Sequence, residues 1–139
     1  MTRDMELVRK ILLAVAANER PLDSVMVRIA GYTPEQIGEH IRLLNEARLL
    51  DGNATIGPDR RPRWNELRLT WWGHDFIDCA RNESIWRTAG EALGPNNTAA
   101  SLDTWRKALT ESAFLILGRM PDGRRRPGPP EEQPPANGA

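Results

Sequence analysis

At 139 residues and 15.6 kDa the chain is long enough for one compact domain and too short for two full cores. Hydrophobic residues make up 40 % and charged residues 27 %, close to globular norms, so an ordered fold is expected. Nineteen basic residues balance nineteen acidic ones; this argues against a non-specific nucleic-acid coat and leaves room only for a local basic patch.

Cys79 is the single cysteine, so an internal disulfide and CxxC-type metal sites are excluded, and a reducing, cytoplasmic compartment is expected. Asp4, Glu6, Arg9 and Lys10 interrupt the first apolar residues, which does not fit a signal segment. The strongest apolar run, Ala113 to Leu117, is far too short to span a bilayer.

From Asp4 to about Asn18, Met5, Val8, Ile11, Leu12 and Val15 recur at helical spacing, with Arg9, Lys10 and Asn18 assigned to the outer side. Ser24 to Ile29 is β-branched and partly alternating, which predicts a short strand. Thr33, Pro34 and Gln36 then form the clearest helix start: an N-cap, a proline at the first helical position and a capping box. That helix places Ile37, Ile41, Leu44 and Ala47 inward and stops before Asp51-Gly52-Asn53.

An antiparallel hairpin follows, with strands from about Leu49 to Ile56 and from Trp64 to Leu69 around a tip rich in proline and arginine. Thr70 caps the next helix, with Trp72, Phe76, Ile77 and Ala80 expected inward. Glu83 to Leu93 continues it after a break. Residues 94–100 read as a linker. Ser101 to Leu117 forms a last helix, residues 101–118, that packs on the core or on a dimer partner. Residues 119–139 hold six prolines and almost nothing apolar, so this tail is expected to be disordered. Together these elements predict an α+β, mostly helical chain: a winged helix-turn-helix over residues 1–93, with a small β-hairpin and an extra C-terminal helix.

Three segments carry a resemblance to a known family. They are Arg3-Asp4-Met5-Glu6-Leu7; Gly31-Tyr32-Thr33 leading into Glu39-His40-Ile41-Arg42-Leu43-Leu44-Asn45-Glu46-Ala47; and Leu69-Thr70-Trp71-Trp72-Gly73-His74-Asp75-Phe76-Ile77-Asp78 followed by Ile85-Trp86. Over about residues 1–118 the chain resembles a YjcQ-like winged-helix family of bacteria and phages. The resemblance implies a winged-helix architecture and a phage or prophage setting, and little about activity. Arg48 stands where that family commonly has a glycine at the helix-to-strand joint, which suggests that the joint lies later, at Gly52.

On a winged helix the exposed N-terminal half of the capped helix meets base edges, making Thr33, Gln36, Glu39, His40 and Arg42 the candidates there. Three Glu against two Arg between Thr33 and Leu50 make this helix alone a poor phosphate binder. Four Arg against Asp59 and Glu66 between Thr55 and Leu69 make the hairpin basic, with Arg60, Arg61 and Arg63 at its tip able to reach a DNA backbone. Arg124-Arg125-Arg126 adds a basic cluster in the tail.

His40 and His74 stand in no metal-ligand spacing, and Cys79 beside Phe76-Ile77 reads as a buried hydrophobe. No phosphate loop, nucleophile elbow or paired-carboxylate motif occurs, so neither an enzyme nor a cofactor is expected. Trp71 and Trp72 are about 100° apart on a helix, so one of them should be partly exposed. Trp71, Trp105 and Phe114 are therefore the protein-interface candidates. Two functions follow: a phage-type DNA-binding regulator, or a protein-binding adaptor or inhibitor such as a counter-defence factor. A homodimer is compatible with either.

Overall fold

The computed structural model describes residues 2–118, so the proline-rich tail expected to be disordered lies outside the described residues. Among the described residues, five α-helices and one two-stranded antiparallel sheet make up an α+β, mostly helical fold. In order these are α1 (Met5–Ala16), α2 (Pro34–Glu46), β1 (Leu50–Ile56), β2 (Pro62–Leu69), α3 (Trp71–Ala80), α4 (Glu83–Leu93) and α5 (Leu102–Leu117). Among the described residues no helix is long and apolar enough to cross a membrane.

Each helix starts where its sequence supplies a cap. Asp4, Thr33, Thr70, Asn82 and Ser101 each accept a main-chain N–H of their own first turn. The capping box between Thr33 and Gln36 is complete in both directions. The break after α3 falls where Arg81, its C-cap, is followed at once by extended Asn82, which caps α4.

The predicted strand at Ser24–Ile29 is not formed. Ser24–Met26 is a short 3-10 helix instead, because the Asp23 and Ser24 carbonyls each accept from the main-chain N–H three residues on. The sheet contact falls just before it: Leu22 and Leu67 exchange both main-chain hydrogen bonds, at 3.0 and 2.9 Å, so a third chain segment lies against β2.

The end of α2 also differs from expectation. Arg48 itself takes the left-handed conformation, with φ at 62°. Leu49 N–H bonds to the Leu44 carbonyl and Arg48 N–H to that of Asn45, the double closure of a Schellman turn. The joint is therefore at Arg48. Gly52 serves a separate purpose, at the irregular register between Asp51 and Asn53. A β-carbon there would lie 2.9 Å from the Leu67 side chain and 3.0 Å from the Asn65 carbonyl oxygen.

The core gathers Leu7, Ile11, Leu12, Ile41, Leu49, Leu50, Leu67 and Ile77, all fully buried, where α1 meets α2, α3 and the inner face of the hairpin. A second layer forms where α4 packs on α5. Trp86 and Trp105 stack there, with centroids 4.0 Å apart and planes 12° from parallel. Their indole N–H groups donate to Glu6 and to the Asn97 carbonyl, each at 2.8 Å.

Arg9, expected on the outer side of α1, is buried. Its Nε donates to the Ala80 carbonyl at 2.6 Å. One terminal nitrogen reaches the Arg81 carbonyl at 3.4 Å and Glu83 at 2.9 Å, and the guanidinium lies 5.3 Å from the centroid of the Trp86 ring. Positive charge at the C-terminal carbonyls of α3 is favourable, and it occupies acceptors that the helix cannot satisfy itself. Ala47, placed inward by the sequence pattern, is exposed at the C-cap of α2, and Ile116, also placed inward, is exposed in the last turn of α5.

Two stability measurements follow. Arg9→Ala leaves the Ala80 carbonyl without its donor in a dry site, and urea denaturation is expected to show a loss of about 2–3 kcal/mol. Arg48→Gly relieves a left-handed non-glycine residue, and the same measurement is expected to show a gain of about 1 kcal/mol.

Candidate functional site

Helix α2, residues 24–32 and the hairpin tip enclose an open groove of about 890 Å³. Val27, Ile29 and Ile37 lie in its floor, and Arg28, Arg61, Arg63, Glu35, Glu39 and Asp59 stand around it. Gly38, mid-helix, also faces it. A β-carbon at Gly38 would meet nothing within 4 Å, so packing inside the chain does not require a glycine there.

The acidic face of α2 is largely neutralised from within. Arg61, at the hairpin tip, pairs with Glu35 in the first turn of α2 and so ties the tip to the helix. Arg42 is held between Glu39 and Glu46. The Glu35 carboxyl is held below its ordinary range, first by a main-chain N–H at the helix start and then by Arg61. Hydrogen bonding from Arg42 lowers that of Glu39 in the same way. These side chains are exposed, so the pairs direct charge more than they add stability.

Of the residues proposed from sequence as base readers, only part remain available. Thr33 and Gln36 are exposed, but the Thr33 hydroxyl and the Gln36 amide oxygen are committed to the capping box, at 3.2 and 2.8 Å. Arg42 is committed to its two glutamates. His40 cannot serve at all, because it is buried. Its Nε2 accepts the Asp4 main-chain N–H at 2.8 Å, which assigns the hydrogen to Nδ1, and Nδ1 lies 2.8 Å from the Gln36 carbonyl. The spacing 37, 40, 41, 44 is one helical face, and the imidazole sits on it with Ile37, Ile41 and Leu44.

Asp4 completes this knot. Its carboxylate caps α1 and accepts from the Tyr32 hydroxyl at 2.9 Å. Burial first, then Asp4 and Glu6, push that hydroxyl up to about 12. The cluster pins the start of α1 to the middle of α2.

The tip arginines stand as expected: Arg60, Arg61 and Arg63 are all exposed. Among the described residues Arg60 and Arg63 have no acidic partner, and neither does exposed Arg28, which the sequence reading missed. Arg28 lay in a segment read as a strand, so nothing placed it beside the hairpin tip.

The tryptophans reverse part of the expectation. Trp105, an interface candidate, is buried in the stack with Trp86, while Phe114 is half-buried. Trp71 and Trp72 are both exposed, at 79 % and 54 %, although Trp72 was placed inward. Gly73, Phe76 and Ile77 form the inner face of α3 and leave both indoles outside.

Among the described residues no three or more His, Cys, Asp or Glu gather as a metal site. Cys79 is buried, and burial, with Asp78 and Asp75, pushes its thiol up to about 11.

A family model matches residues 2–98, and the chain belongs to that family, whose description is "Hypothetical protein (DUF2513)". An "Uncharacterized protein" of Haemophilus influenzae is similar to it, 26 % identical over 121 residues that cover 86 % of this chain and 98 % of that protein. No solved structure matches. The match is thus to an uncharacterised family, and these comparisons lend no support to the YjcQ-like kinship.

The thiol gives a direct pH test. A folded-state value above the ordinary thiol value of about 8.5 means that the stability contributed by the buried neutral thiol is intact below that pH and is lost as pH rises toward 11. Ellman's reagent at pH 8 is expected to react slowly with the native chain and fast in urea. Cys79→Ala is expected to flatten the alkaline loss of stability.

Proposed function

We propose that the chain is a non-enzymatic winged-helix protein of the DNA-binding regulator class, with α2 facing the major groove and the β1–β2 hairpin as its wing. The element order supports this reading: α1, the Leu22 segment against β2, a short 3-10 turn where a second helix would stand, a capped helix, then the hairpin. Kinship with YjcQ-like winged-helix proteins of bacteria and phages would fit the same order.

One observation carries the functional reading. Among the described residues Arg28, Arg60 and Arg63 have no acidic partner, and they stand at the groove and hairpin tip, beside a helix whose carboxylates are already paired. Guanidinium groups without partners are free to take phosphate oxygens. The paired carboxylates oppose an approaching phosphate less than their number suggests. Gly38 lets a phosphate backbone or a base edge come close to the helix axis, a use that offsets the cost of a mid-helix glycine. With the α2 side chains tied up, most of the affinity comes from backbone contacts, and sequence preference is modest.

Three phosphate contacts predict a slope of about −2.7 in log K against log salt, which is a loss of about 40-fold between 50 and 200 mM. Fluorescence anisotropy with fragmented genomic duplexes is expected to show this slope. The Arg28→Ala/Arg60→Ala/Arg63→Ala variant is expected to bind at least tenfold more weakly at low salt, with a nearly flat slope. Gly38→Ala is expected to gain about 1 kcal/mol of stability and still bind less tightly. Absence of duplex binding by the unaltered chain at low salt overturns the reading.

A further inference from the structure

The two indoles at the start of α3 belong to neither the core nor the groove. We propose that they form, with Arg48 and Arg106, a docking site for an acidic segment of a partner protein that presents an apolar anchor.

The exposure of the pair is unusual. Large aromatics normally supply burial, and here two adjacent ones stand mostly in water on one helix turn.

The backbone beneath the pair is held in place. Thr70 caps Gly73 N–H at 3.1 Å, donates its hydroxyl to the Arg48 carbonyl, and bonds by its own N–H to the Leu49 carbonyl at 3.1 Å. Gly73 lies so close to that strand entry that a β-carbon would stand 2.1 Å from the Leu49 oxygen. The backbone under the indoles therefore cannot shift, and a platform already held in place loses little conformational freedom on binding.

Charge decides the partner. The Arg106 guanidinium lies 5.7 Å from the centroid of the Trp72 ring, and Arg48 leads into the strand entry against which Gly73 packs. Neither has an acidic partner among the described residues. One guanidinium beside Trp72 and a second arginine at the adjoining strand entry favour carboxylates flanking an apolar side chain, the composition of an interface hot spot. Asp75, one turn along α3 from Trp71, opposes an acidic ligand, and Asp51 is already paired with Arg68.

The site lies at the base of β2, and that eight-residue strand puts it about 25 Å from the hairpin tip. It can therefore be filled whether or not the groove is occupied.

The test is a titration of the full chain with two labelled peptides of equal leucine and phenylalanine content, one with aspartate and glutamate, the other with lysine. The acidic peptide is expected to bind at least tenfold more tightly. Trp71→Ala/Trp72→Ala is expected to weaken it roughly 30-fold, the scale of a two-residue hot spot. Arg48→Glu/Arg106→Glu is expected to reverse the charge preference, and Asp75→Asn to strengthen acidic binding. Circular dichroism unchanged from the parent chain, together with unchanged duplex titrations, separates loss of this site from misfolding and from failure of the DNA reading. Equal affinity for both peptides, or no binding of either at millimolar concentration, overturns the proposal. So does a single-stranded oligonucleotide taking the site in place of the acidic peptide, or a self-association that disappears with Trp71→Ala/Trp72→Ala.

Discussion

The guanidinium of Arg9 is the point from which the helical arrangement can be followed. It leaves the middle of α1, occupies the carbonyls that end α3, and lies against the ring of Trp86 at the start of α4. A charge at such a site is tolerable only if its donors are used and it faces the negative end of a helix. Nε and one terminal nitrogen are used in this way, and the other terminal nitrogen lies 3.9 Å from Glu6. The contact therefore sets where α3 must end relative to α1, and Asn82 turns the chain there into α4. Trp86 is then held by Glu6 as well, and its stack with Trp105 brings α5 against α4.

A second anchor, of a different kind, sets the other half. Asp4 caps α1 and also binds Tyr32 and, through its main chain, His40, so the start of α1 is locked to α2. Between the two anchors α1 acts as a ruler. One end positions the capped helix and the groove beside it, and the middle positions the helices behind the hairpin. The exposed indoles owe their place to this frame, because Gly73 presses α3 onto the strand entry at Leu49.

Charge placement gives the chain its character. The net charge is zero, yet arginine and glutamate are distributed so that the three α2 glutamates are paired within the chain, while many arginines among the described residues have no ion pair. Among the described residues Arg28, Arg60 and Arg63 stand at the groove and tip without an ion pair and Arg106 stands by Trp72, while Arg3, Arg20, Arg81 and Arg87 are spread elsewhere over the chain. A neutral protein can present a local basic surface in this way, one sensitive to salt.

Much of the architecture was legible from the chain because it is written in local chemistry. Caps at Thr33 and Thr70, the Pro34 helix start and the proline-bracketed turn each depend on residues a few positions apart, and periodicity alone separates Ile37, Ile41 and Leu44 from Glu35 and Glu46. What the chain could not state is which side chain meets which across long separations. His40 reads as polar and exposed until Asp4 gives its ring an acceptor role, and Arg9 reads as a surface cation until it finds the Ala80 carbonyl, 71 residues away. Arg28 joins the tip, Arg42 and Arg61 are taken out of play by glutamates, and Trp105 goes inside while Trp72 stays out, all by tertiary placement. The reason is physical: local hydrogen bonds and side-chain spacing select elements, whereas the fate of a long polar or aromatic side chain depends on partners that only packing brings within reach.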